Sequence, residues 1–116
     1  MMINQLSEPS ARLLVERGVR AVPGGYSWGS DQRLTLPTAV RMTEAQIDVL
    51  VAAIECPALV VYASPAQAYF PEPLRTRRAQ LLRDGRLHVI AGTHHLHMEI
   101  PDTVAALVQP FLGEYA

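Results

Sequence analysis

Lysine is missing from this sequence. All ten basic side chains are arginines, set against eleven acidic ones, and the formal net charge is −1. So even a balance gives no electrostatic case for nucleic acid or an anionic membrane surface as partner. Cysteine is scarce as well: Cys56 stands alone, which excludes an intramolecular disulfide. Charged residues make up only 18% of the chain against 49% apolar ones, so a packed core is expected rather than disorder. Long apolar runs are absent too. The longest, Val49 to Ala63, is interrupted by Glu55 and Pro57 and falls short of the roughly 20 residues that span a bilayer. Met1-Met2-Ile3-Asn4-Gln5-Leu6 has neither a basic start nor an apolar stretch, so no signal peptide is expected. Together these gaps lead to the expectation of a soluble cytoplasmic protein of one-domain size, with no membrane and no nucleic-acid partner.

What is there reads as alternating helices and strands. Ser7 can cap a helix over about 8–17 that Gly18 is placed to end, with Leu13, Leu14 and Val15 as its apolar surface. From Val19 to Arg41 turn residues dominate (Pro23, Gly24, Gly25, Gly29, Ser30, Asp31, Pro37), and only Tyr26 and Trp28 alternate as in a short strand. Thr43-Glu44-Ala45-Gln46 spells a capping box that opens a helix with Ile47, Leu50, Val51 and Ile54 on one face. After Pro57 the run Ala58-Leu59-Val60-Val61-Tyr62 is too apolar for a half-exposed strand and predicts a parallel strand buried on both faces. An arginine-rich helix over about 72–82 follows, then a strand over 86–90 and a last helix over about 102–112, which Pro110 should kink or fray. This order predicts a βαβ unit with covering helices, to which the first forty or so residues do not belong.

Two segments could carry chemistry. Gly25-Tyr26-Ser27-Trp28-Gly29 matches G-x-S-x-G, the nucleophile elbow of serine hydrolases. An elbow needs a buried strand before the serine and a helix after it. Val22-Pro23-Gly24 precedes Ser27, and proline cannot donate into a central ladder. Gly29-Ser30-Asp31 follows with no helical period, so Ser27 is expected not to be a nucleophile. The second segment, Gly92-Thr93-His94-His95-Leu96-His97-Met98-Glu99-Ile100-Pro101, holds three of the four histidines. It lies at the carboxyl end of a predicted parallel strand, where open α/β sheets bind ligands. From the residues alone three readings stand side by side. The histidines are polar loop residues; or His95, His97 and Glu99 are metal ligands; or one histidine is a general base.

Gly92-x-His94, four residues, then Glu99-x-Pro101 and an amphipathic helix resembles the carboxyl end of the α/β-hydrolase fold. The resemblance implies that His94 is the catalytic base, with His95 and His97 shaping the pocket. Cys56-Pro57 and the apolar run behind it are similar to that family's penultimate strand. Gly25-Tyr26 with Trp28, Asp31, Arg33 and Leu34 is similar to the segment after the cap in serine hydrolase-like members. The likeness covers nearly the whole chain but only the last third or so of the family's usual length. It departs at Ala66, which stands where many relatives carry the acid that orients the base; some relatives place that acid on an earlier strand outside this chain, and Glu72 and Asp31 are conceivable substitutes that their spacing does not recommend.

The resemblance therefore implies a partial α/β-hydrolase fold. Its last two parallel strands and flanking helices would occupy residues 43–116, and residues 1–42 would be the end of the cap or lid. The implied function is that of the carboxyl-terminal part of an esterase-like serine hydrolase. It would carry the base His94 without the nucleophile half, be inactive alone, and act on a small ester-like substrate once completed, with neither cofactor nor metal. The alternative is a non-catalytic α/β module that binds a partner through the unpaired edge of Ala58–Tyr62. The same edge invites self-association.

Overall fold

A computed structural model describes residues 6–116. They divide into two units, residues 6–41 and residues 42–116.

In the first unit, α1 (Glu8–Gly18) opens as its sequence implies. The Ser7 hydroxyl accepts from the Ser10 N–H at 3.4 Å, Pro9 sits in the first turn, and Arg12 reaches back one turn to Glu8 at 2.8 Å. A side-chain cap of this kind is worth about 1 kcal/mol. The turn-rich stretch that follows is a hairpin. Strands β1 (Val19–Val22) and β2 (Gly25–Trp28) pair antiparallel, with Arg20 opposite Ser27 and Ala21 opposite Tyr26. Pro23 fixes one corner residue, and Gly24 supplies the left-handed one at φ +85°, the combination of a type II turn. A 3₁₀ turn at Gln32–Thr35 closes the unit, capped by Asp31.

The second unit begins with α2 (Glu44–Ala52), and both halves of the capping box form. The Gln46 side chain accepts from the Thr43 N–H at 2.8 Å, and the Thr43 hydroxyl accepts from the Gln46 N–H at 3.3 Å. Only part of the expected apolar face is covered: Ile47 and Val51 are half-buried, whereas Leu50 and Ile54 are exposed. Strands β3 (Ala58–Ser64) and β4 (Gly85–Ala91) pair parallel in register from Ala58–Gly85 to Ser64–Ala91. Between them runs α3 (Leu74–Gln80), which starts two residues later than expected. Glu72 precedes Pro73, and a residue before proline is pushed out of the helical region. Arg77 and Arg78 tie α3 to α2 through Asp48 and Glu44, each at 2.6 Å.

A single turn, α4 (Leu96–Glu99), and then α5 (Pro101–Gly113) complete the chain. The helix spans the expected residues, running on past Pro110 to Gly113. The Pro110 carbonyl still accepts from the Glu114 N–H at 3.2 Å, so losing one donor near the terminus leaves the last turn closed. The expectation that β3 is buried on both faces also fails. Its residues are half-buried and Ser64 is exposed, because β4 is its hydrogen-bonded neighbour in a sheet of two strands. The buried apolar side chains among the described residues are Ala79 and Leu96. The architecture is thus mixed α/β, with two parallel strands in one sheet and helices beside them. No described helix is long and apolar enough to cross a membrane.

Candidate functional site

The site is built where β4 ends. The Gly92 N–H donates to the Ser64 carbonyl at 3.0 Å, extending the ladder by one step. The chain then turns, with Gly92 at φ +152°. A Cβ at this glycine would lie 2.8 Å from Leu96 Cδ2. Close approach and backbone angle together explain the glycine. Leu96 is buried and starts α4, and carbonyls of His95 and Leu96 accept the N–H groups of Met98, Glu99 and Ile100 at 2.9–3.0 Å. Sequence patterning gave no sign of this helix, since a single turn has no period to detect. It sets the backbone path of the histidine segment.

His94 is exposed on the rim of a pocket of about 240 Å³ at the carboxyl end of β3. Its Nε2 lies 3.3 Å from the Tyr69 hydroxyl, and the two rings meet edge-on at 88°. Apolar walls come from Val61, Phe70, Leu96 and Val104, and polar atoms from Gln67, Arg75 and His97. Arg75 is only 6% exposed. Its guanidinium donates to the Ala63 carbonyl and to the Glu72 carboxylate, and the Tyr62 hydroxyl donates to its carbonyl at 3.3 Å. Burial pushes the Tyr62 phenol above its ordinary pKa, opposed by the charges of Arg78 and Arg75. The hydrogen bond from Arg75 holds the Glu72 carboxyl below its usual range.

The expected site residues therefore fare differently. His94 and His97 line the pocket together. The His95 ring stands 5.2 Å from that of His94 and 6.5 Å from that of His97, both edge-on. Among the described residues no group of three His, Cys, Asp or Glu side chains is arranged to hold a metal ion. The two substitute acids each pair with an arginine: Glu72 with Arg75, and Asp31, in the first unit, with Arg33 at 2.6 Å. No carboxylate among the described residues is hydrogen-bonded to His94; Tyr69 is. Tyr69 and Arg75 are the two participants that sequence reasoning missed. Tyr69 lies three residues beyond Ala66 in the same loop, so its proximity to the place of the absent acid was the available signal. Ser27 sits in mid-strand of the hairpin, its hydroxyl 3.4 Å from the Trp28 carbonyl. The strand–serine–helix geometry of an elbow is not present there.

No protein-family model matches the chain. It is similar to a Drosophila melanogaster protein named "Probable serine hydrolase", 31% identical over 115 residues, which cover 94% of this chain and 35% of that protein. A Danio rerio "Serine hydrolase-like protein" is 25% identical over 112 residues, 92% of this chain and 34% of that one. The crystal structure of a hypothetical protein from Pseudomonas aeruginosa PAO1 superposes with a TM-score of 0.76 at 34% identity, over 96% of this chain and 39% of the other. The chain is thus a relative of serine hydrolase-like proteins, and it spans about a third of the length of the curated relatives it matches.

Proposed function

We propose that this segment is the carboxyl-terminal part of an esterase-like serine hydrolase of the α/β-hydrolase fold. Residues 43–116 form the end of the catalytic core and residues 1–42 the end of the cap. The observation that carries the reading is His94, placed by Gly92 at the carboxyl end of a parallel strand and on the rim of a largely apolar pocket. The relatives' names and the partial coverage support it. In the completed enzyme a hydroxyl nucleophile from the rest of the fold loses its proton to His94 Nε2 as its oxygen bonds the carbonyl carbon of a small ester. The tetrahedral adduct collapses with cleavage of the ester C–O bond. The departing alkoxide takes the proton from the imidazolium, and water then repeats the sequence on the acyl-enzyme.

The test is a chimera in which this chain replaces the matching third of the Drosophila relative. His94→Ala should cost about 10²–10⁴ in turnover of a p-nitrophenyl ester, while His95→Ala and His97→Ala retain most of it. Equal losses from all three would overturn the assignment.

A second reading rests on β3. The strand is apolar from Ala58 to Ala63, and β4 is its strand partner among the described residues. No described strand pairs with its other edge, where Arg75 donates to the Ala63 carbonyl and no lysine stands guard. On this reading the chain is a non-catalytic module whose β3 edge pairs with a second copy. Sedimentation at micromolar concentration should then give a dimer or larger species, and a monomer throughout that range would remove the reading.

A further inference from the structure

A histidine acting as general base must present a bare Nε2 lone pair, so its single neutral-state proton belongs on Nδ1. In a Ser-His-Asp triad the carboxylate enforces this by accepting from Nδ1–H, and without it the wrong tautomer costs about 10⁴ in rate. Here the place of that acid is taken by Ala66, and both substitute carboxylates are engaged by arginines. The hydrogen bond His94 does make is at the opposite nitrogen. The Tyr69 hydroxyl is 3.3 Å from Nε2. A neutral phenol is a better donor than acceptor, because its oxygen lone pair is delocalised into the ring. An unprotonated imidazole nitrogen is a strong acceptor. The favoured pairing is O–H···Nε2, which leaves the proton on Nδ1.

We propose that Tyr69 is a positioning residue for His94: by donating to Nε2 it favours the same tautomer that a triad carboxylate selects. Nε2 has one in-plane lone pair, so a nucleophile's hydroxyl must exchange with the phenol rather than join it. Tyr69 is suited to leaving: it stands on the loop after β3 and is 72% exposed. Other polar side chains around His94, including His95, His97, Gln67 and Arg75, have no hydrogen bond to it among the described residues. The catalytic meaning of the contact rests on the proposed function, whereas the tautomer itself does not.

The experiment is ¹⁵N NMR of the histidine rings in this full chain, at a pH where the imidazoles are neutral. In the wild type, His94 Nε2 should resonate as an unprotonated nitrogen. Tyr69→Phe should shift the His94 tautomer ratio roughly fivefold toward Nε2–H, as expected for losing one hydrogen bond of ordinary net strength, with His95 and His97 unchanged. If the phenylalanine also disturbs amide signals along β3 and β4, 3-fluorotyrosine at position 69 decides. It keeps the ring's size, strengthens the donor and should move the ratio the other way. A protonated Nε2 in the wild type, or a ratio indifferent to both substitutions, overturns the proposal. The chimera separates the two readings. His94→Ala without effect on turnover beside a responsive tautomer removes the hydrolase reading and leaves Tyr69's role standing. Lost turnover beside an unresponsive tautomer does the reverse.

Discussion

The two units of this chain are held together in different ways. Between residues 6 and 41 the structure rests on local bonds: a capped helix, a two-residue hairpin turn and a 3₁₀ turn whose cap and ion pair join residues two apart. Its large apolar side chains lie open, with Tyr26 81% and Leu34 79% exposed. Between residues 42 and 116 long-range bonds join the local ones. β3 and β4 meet across α3, the α2–α3 ion pairs join residues 29 and 34 apart, and Leu96 and Ala79 are buried. The first unit thus has regular structure with little apolar burial. The His94 site instead depends on packing, because its parts come from β3, the following loop, α3 and the turn after β4.

The same contrast governs what was legible in the sequence. Capping residues act within one turn, so Ser7 and the Thr43–Gln46 box located two helices that the structure contains. The proline-led apolar run and its parallel partner were legible because their composition is extreme. The hairpin was half-seen: Val19 to Val22 carries no alternation of polarity, and its pairing with β2 follows from the Pro23-Gly24 corner. Half-burial of β3 was illegible, since composition reports how a strand would be covered and not how many neighbours it has. Tyr69 was missed for a related reason: it meets His94 across 25 residues of chain, and its place three residues beyond Ala66 was the one local hint.

If packing holds one unit and local bonds the other, matched deletions should differ sharply. Leu96→Ala removes a buried side chain and should lower stability by about 2–3 kcal/mol, the low end for such changes because the adjoining pocket allows some collapse. Leu34→Ala removes an exposed one and should change stability by no more than about 0.5 kcal/mol. Urea unfolding followed at the amides of each unit would measure both. Comparable costs would mean that Leu34 is covered in solution.

The glycines sharpen the comparison at smaller scale. Gly24→Ala meets nothing within 4 Å and incurs only the strain of φ +85°, about 1 kcal/mol. Gly92→Ala adds to its backbone strain a collision with Leu96 Cδ2 at 2.8 Å and should cost about 2 kcal/mol. It should also move the His94 ring resonances, because the loop must rise off Leu96. An undisturbed His94 in a folded Gly92→Ala variant would show that the glycine does not place the base.

The smallest effect expected is electrostatic, and it separates the units by sequence distance. Arg86 binds Glu114 at 2.5 Å across 28 residues, and this hydrogen bond holds the Glu114 carboxyl below its ordinary value of 4.5. Arg33 binds Asp31 two residues away, likewise holding that carboxyl below 3.8. A depressed folded-state pKa contributes stability above the unfolded value, and that stability is lost as pH falls through the folded one. Unfolding separates Arg86 from Glu114 entirely, whereas Asp31 and Arg33 remain neighbours in the unfolded chain and keep part of their attraction. The linkage to folding is therefore larger for Glu114, although both pairs are exposed and each effect is small. Glu114→Gln should lower the urea midpoint at β4 when the pH is well above 4.5, and the two proteins should converge in acid as the wild-type carboxylate is protonated. Asp31→Asn, which keeps the oxygen that caps the 3₁₀ turn, should leave the midpoint at the hairpin nearly unchanged over the same range. An Asp31→Asn loss equal to that of Glu114→Gln would mean that the short-range pair forms only on folding, and that the first unit is less locally determined than its bonds imply.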